Sequence, residues 1–177
     1  MRGLTAVALA IGLAGCGLTG CGKKSEQQAA VAASATAEPK SVVAMNDPAA
    51  EGQLKGGFYG IEGGAWRWTA QKFTVALKPP AGAQQSGAKL HFKFSIPDAV
   101  IDKVGPIELS ASAEGAALAP ERYAKAGSYE YVRDMDGEAM GSGLVTVEFN
   151  CDKSLAPSGA EKRELALIAV SAGLEAK

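Results

Sequence analysis

Trp66 and Trp68 are the chain's two tryptophans, and only Arg67 separates them. Tyr59 and the glycines 57, 60, 63 and 64 lie just upstream. On a strand, side chains alternate between faces, so the two indoles share one face and Arg67 points to the other. Exposed indole faces stack on sugar rings, and a neighbouring tyrosine or arginine hydrogen-bonds the ring hydroxyls. Packing is the competing use of the same residues. Indole carries a large apolar area, and a chain with 5 Phe, 4 Tyr and 2 Trp has few large rings with which to fill a core. Packing is the first reading of the pair and a ligand platform the second. Tyr129 and Tyr131, two apart in "SYEYVRD", pose the same question. The candidate ligand contacts are therefore Tyr59, Trp66, Arg67, Trp68, Tyr129 and Tyr131. Arg67 and Glu62 also suit an ion pair that would pin the glycine-rich entry to this segment.

Other chemistry is sparsely supplied. His91 is the only histidine, and no second ligand is evident beside it, whereas metal sites gather several His, Cys, Asp or Glu side chains. Cys151 alternates with Val147 and Phe149, which points its thiol inward, and no glycine-rich elbow surrounds it as an activated nucleophile would need. The acidic turn "DMDGE" (134–138) begins like a calcium loop. It lacks a third Asp or Asn before the glycine and the distant bidentate Glu, so it reads as a solvated turn. These features predict neither an enzyme nor a cofactor.

The elements that position these residues read as strands. "FTVALK" (73–78), "KLHFKFSI" (89–96), "IELSASA" (107–113), "SYEYVRD" (128–134) and "LVTVEFNCD" (144–152) alternate apolar and polar residues. "ELALIAVSAGL" (164–174) is apolar on both faces, as a well-covered central strand would be. Pro79 and Pro80 close one strand, since proline has no N–H for a ladder. "AGAQQSG" (81–87) reads as a polar loop, "PDAVIDKVG" (97–105) as a short helical turn between sheets, and "MDGEAMG" (135–141) as a small turn. Many short strands with turn signals between them predict an all-β fold, an antiparallel β-sandwich of jelly-roll type.

The N-terminus has a different character. Arg2 precedes an apolar run from Leu4 to Leu13, which is short of the roughly 20 residues that span a bilayer and reads as a signal peptide. Leu13-Ala14-Gly15-Cys16 and Leu18-Thr19-Gly20-Cys21 both resemble the bacterial lipobox, whose cysteine becomes the lipidated first residue. Cys21 is the expected lipidation site, with Cys16 the alternative. That leaves Cys151 as the one cysteine of the mature domain, without a disulfide partner. Residues 1–20 then form the signal, 21–53 a flexible, disordered tether rich in Ala, Gln, Ser and Lys, and 54–177 the sandwich. Cleavage removes Arg2 and no acid, taking the 18 basic residues to 17 against 19 acidic. Such a balance gives no footprint for nucleic acid, and membrane attachment would rest on the lipid.

One resemblance follows from two segments. Phe58-Tyr59-x-x-Glu62 with Arg67-Trp68-Thr69, and the late Arg163-Glu164-Leu165-Ala166-Leu167-Ile168, resemble a β-sandwich module found in some bacterial envelope proteins and beside glycosyltransferases. That module usually has glycine where this chain has Ala166. The resemblance spans residues 54–175 and implies a sandwich fold in a glycan-linked setting. The expectation is thus a lipid-anchored, non-catalytic binding module of the bacterial cell envelope, with glycan as ligand. The alternative is a structural or assembly lipoprotein that docks an envelope protein by strand addition.

Overall fold

The computed structural model describes residues 37–177. The expected signal peptide, both candidate lipidation cysteines and the first part of the expected tether lie outside the described residues. Among these residues the elements are β1 (Val42–Ala44), a 3-10 turn (Pro48–Gly52), β2 (Leu54–Glu62), β3 (Trp66–Leu77) and a one-turn helix α1 (Ala83–Ser86). They continue with β4 (Ala88–Ile96), α2 (Asp98–Val104), β5 (Ile107–Ala113), β6 (Ala116–Tyr123) and β7 (Gly127–Met135). A second 3-10 turn (Gly137–Ala139), β8 (Val145–Cys151) and β9 (Ile168–Ala176) complete them.

Every strand pairing is antiparallel, and hydrogen bonds link the strands in the order β6-β5-β8-β3-β9-β4-β7. β2 pairs with β3 and β1 with β9. The path folds over at β3. Residues 72–77 of β3 pair with β8, whereas Arg67 and Trp68 pair with Ala169 and Ile168 of β9. One layer is therefore β6-β5-β8 with the second half of β3. The other is the first half of β3 with β9-β4-β7. The connections from β3 to β4, β4 to β5, β6 to β7, β7 to β8 and β8 to β9 all pass from layer to layer, the wiring of a jelly-roll sandwich.

The core lies between the layers, where alternate residues of facing strands interdigitate. Phe73 on β3 and Phe149 on β8 stack at 5.0 Å, and Phe92 on β4 reaches across to them at 5.3 and 4.7 Å. Phe94, Tyr123 and Tyr131 are buried in the same cluster, and Phe58 meets Phe73 edge-on at 5.3 Å. The phenylalanines, all five of them, and two tyrosines thus supply the ring volume of the core.

Three sequence expectations need correction. The domain begins before Leu54. Val43, Met45 and Ala50 are buried, and the side chain of Gln53 bridges Lys40 O and Ala76 O at 2.8 Å each. The segment looked like tether because only one residue in two or three touches the core. β6 was not foreseen, because "AALAPERY" contains Pro120 and is largely exposed, so alternation is lost. The last strand starts at Ile168 rather than Glu164. Leu165, Ala166 and Leu167 are all buried, yet they form an irregular crossover held by an isolated bridge of Leu165 to Leu155 and by paired backbone bonds of Ala166 and Leu167 to Thr69.

Candidate functional site

The β2–β3 hairpin carries the tryptophans, and its local chemistry fixes their direction. Gly63 and Gly64 take the left-handed φ values of +57° and +66° that close the turn, and Ala65 N donates to Glu62 O at 3.1 Å. Trp66 lies against Gly63, where a Cβ would come within 3.3 Å of the indole Nε1. From that turn the alternation runs with Arg67 and Thr69 inward and both indoles outward. Arg67 is 4% exposed and Thr69 0%, while Trp66 and Trp68 are half-buried.

Arg67 and Thr69 thus hold the inward positions of the hairpin, while Trp68 keeps a rim contact with the core. The core's ring volume is already filled by phenylalanine, so the indoles are free to lie outside. Arg67 is a buried staple and not a ligand contact. Its Nε donates to Met45 O at 2.9 Å, Nη1 to Tyr59 O at 3.0 Å and Nη2 to Glu51 Oε2 at 2.8 Å. The expected Arg67–Glu62 pair does not form. Glu62 instead accepts from Arg163 Nη1 at 2.6 Å.

Outside, the indoles meet edge to face, with centroids 6.2 Å apart and planes at 86°. Such a pair cannot present two coplanar faces. It offers stacking area to one sugar ring at a time, not a strip for a flat crystalline polysaccharide. Trp68 also packs against the rim of the core. Beside the pair, Arg163 lies over the Tyr59 ring at 5.1 Å and grips Glu161 with two parallel bonds of 3.0 and 2.8 Å. The guanidinium and backbone N–H of Arg163 hold the Glu161 carboxyl down to about 2. All guanidinium nitrogens of Arg163 are engaged. What the network leaves for a ligand is carboxylate oxygen on Glu62 and Glu161, with side chains 35% and 38% exposed, and the Tyr59 hydroxyl. Those groups accept from sugar hydroxyls and disfavour an anionic ligand.

The structure joins the two segments on which the sequence resemblance rests. Besides Glu62–Arg163, Thr69 N donates to Leu167 O at 2.8 Å, Ala166 N to Thr69 O at 2.9 Å, and Leu167 N to Thr69 Oγ1 at 3.2 Å. Arg163 and Glu161 are the site residues that sequence reasoning missed. Arg163 opens the Arg-Glu-Leu run that carries the resemblance, whereas Glu161, two residues earlier, has no sequence signal of its own.

Tyr129 and Tyr131 do not join the indoles. Both lie on the core side of β7. Tyr131 is 0% exposed, its hydroxyl donates to Ala119 O at 2.8 Å and Arg133 covers its ring at 4.0 Å. Tyr129 packs against Tyr123 at 4.7 Å and its hydroxyl donates to Lys125 O at 2.8 Å. Neither is a ligand contact, because both hydroxyls are committed to backbone carbonyls and both rings to packing.

The remaining candidates are described by their neighbours. His91 Nδ1 lies 2.9 Å from Glu130 and Nε2 3.6 Å from Glu175, so its two nitrogens face different carboxylates. Cys151 is a free thiol, 0% exposed, and burial pushes it up to about 12, far from a reactive thiolate at neutral pH. Asp134 of the acidic turn is paired with Lys89 at 2.9 Å and Lys177 at 3.4 Å. Among the described residues no group of three or more His, Cys, Asp or Glu is arranged to hold a metal ion.

No family model and no curated protein matches the chain. Among solved structures, the CBM36-1 domain of a multidomain xylanase from the hindgut metagenome of Trinervitermes trinervoides is similar at a TM-score of 0.39 and 14% identity. The match covers 75% of this chain and 94% of that one. At that level it carries no argument about the site.

Proposed function

We propose that the chain is a non-catalytic, lipid-anchored binding module of the bacterial cell envelope, and that its ligand is a glycan bound at the outer face of the β2–β3 hairpin. The observation that carries this reading is the outward placement of Trp66 and Trp68 beside the Tyr59–Arg163–Glu62–Glu161 network. A sugar ring needs one apolar face to lie on and fixed polar atoms for its hydroxyls, and this surface supplies both. Lipid attachment at Cys21, with Cys16 as alternative, rests on the lipobox pattern alone.

Strand addition by a protein partner is less well served. The free edges of β6 and β7 face each other and are bridged by side chains. Arg133 Nε donates to Ala119 O at 2.6 Å and Nη2 to Pro120 O at 3.2 Å. β1, which pairs only with β9, is three residues long, and β2 breaks register at three places along its length, which spoils either as a template for a new strand.

The glycan reading predicts a change in tryptophan fluorescence on adding envelope polysaccharide to the full chain. Trp66→Ala should abolish it while the domain stays folded, at a cost of about 1 kcal/mol or less for a half-exposed ring. Trp68→Ala should also abolish it but cost about 2–3 kcal/mol, because Trp68 shares the core rim. An unchanged ligand response in folded Trp66→Ala protein would sink the reading. Fractionation tests the anchor: Cys21→Ser should move the protein from membrane pellet to supernatant, and release by Cys16→Ser instead would reassign the lipid.

A further inference from the structure

The outer faces of the two layers are built differently. On the β9-β4-β7 layer the charges are matched within the sheet, as Lys89 with Asp134, His91 with Glu130 and Lys93 with Glu130 at 3.8 Å. On the β3-β8-β5 face they are not. The pairings set two rows of polar side chains across three strands. Lys72, Asn150 and Ser110 form one row, and Thr74, Glu148 and Ser112 the next. Ser110 Oγ donates to Asn150 O at 3.1 Å, and Ser112 Oγ reaches Glu148 at 3.5 Å. The Lys72 ammonium, the Thr74 hydroxyl and the Asn150 amide have no side-chain hydrogen bond or ion pair among the described residues.

These rows line a groove of about 650 Å³, and Ala117, Leu118 and Pro120 of β6 form its wall. A register break between Leu109 and Ala111 in the β5–β6 ladder sets that wall. The volume falls within the roughly 300–1,000 Å³ typical of small-ligand sites. Small side chains at Thr74, Ser110 and Ser112 make the depression, and the longer Lys72, Glu148 and Asn150 supply its charge and amide.

We propose that this groove is a second binding site, separate from the indole surface, for a short uncharged oligosaccharide. A sugar hydroxyl both donates and accepts, which matches a floor of hydroxyls and an amide. Lys72 and Glu148 cancel in charge, so the groove does not favour a polyanion. An extended peptide is a poorer fit. Peptides are recognised through unpaired backbone at a sheet edge, whereas β8 and β5 are paired on both sides here.

The test is a titration of the full chain with cellotetraose and, separately, chitotetraose, followed by amide shifts in ¹⁵N–¹H spectra and by calorimetry. The expected result is shifts at Ser110, Ser112, Glu148 and Asn150 with at least one sugar. Asn150→Ala should weaken that binding about tenfold, the effect of losing a well-placed hydrogen-bonding amide. Trp66→Ala should leave these groove shifts in place. Shifts confined to residues 59–68 and 161–163, with Asn150→Ala binding as the parent does, would overturn the groove and leave the indole reading standing. Groove shifts that survive while tryptophan fluorescence is unmoved by sugar would support the groove and count against the indoles. No shift at the groove with either sugar at millimolar concentration also overturns it.

Discussion

Arg67 shows how a single residue decides what its neighbours can do. Its guanidinium is buried between β1, the first 3-10 turn and β2, and it satisfies two backbone carbonyls that would otherwise be stranded. Because Arg67 takes the inward position, the alternation of β3 forces both indoles out. Arg67→Ala should therefore destabilise the domain by about 2–4 kcal/mol, since it leaves buried acceptors unpaired. Arg67→Lys should recover only part of this, because an ammonium cannot reproduce the three-way fork. Glu51→Gln should cost about 1 kcal/mol or less, since the Glu51 side chain is 58% exposed and the pair is screened. Chemical denaturation of the three variants checks the order. If Glu51→Gln proved as costly as Arg67→Ala, the ion pair and not the carbonyl bonds would be the staple.

The hairpin as an element depends on how closely β2 lies against β3. Gly57 has φ +76°, and a Cβ there would fall 2.0 Å from Lys72 O and 2.6 Å from Phe73 Cα. It sits within a register break that rotates Phe58 into the core and leaves Tyr59 outside under Arg163. Gly57→Ala should cost more than about 3 kcal/mol, from backbone collision and left-handed strain together, and thermal melting would show it. A near-neutral substitution would mean that β2 is not held against β3 in this way. The sandwich and most of its strands were legible because alternation is a local property, as in "KLHFKFSI". The direction of the indoles was not. It depends on whether phenylalanines distant in the chain, at 92, 94 and 149, fill the space first, and no local pattern records that. The partnership of Glu62 with Arg163 was hidden for the same reason, since the crossover before β9 has no period of its own.

At the scale of the whole molecule, the ionisable groups that the fold perturbs set the pH range in which it is stable. On the acid side, lysine or arginine partners hold Glu38, Asp47, Asp134 and Glu161 below their ordinary values. Groups lowered in this way add stability above the carboxylate range of the unfolded chain, near 4, and lose it as pH falls toward their folded values. Glu38 and Asp134 are exposed and Asp47 and Glu161 only partly covered, so solvent screens all four and the acid limb should be shallow. The alkaline limb arises in the core. Burial raises the Cys151 thiol from 9.0 to about 12, and burial likewise pushes up Tyr123 and Tyr131. A raised acid stays protonated in the folded state while the unfolded chain ionises. Stability is therefore full below about pH 9 and falls as pH rises from there through the folded values. Tyr123 contributes a further cost at neutral pH, because its hydroxyl is buried beside the Glu121 carboxylate without a well-formed hydrogen bond. Tyr123→Phe removes both the stranded hydroxyl and its ionisation while keeping the ring against Phe94 at 5.1 Å. It should leave stability at pH 7 unchanged or raised by up to about 1 kcal/mol, and flatten the alkaline limb above pH 10. Melting temperatures of parent and variant from pH 7 to 11 decide the matter. A lower melting temperature for the variant at pH 7 would show that the hydroxyl has a partner that stabilises it.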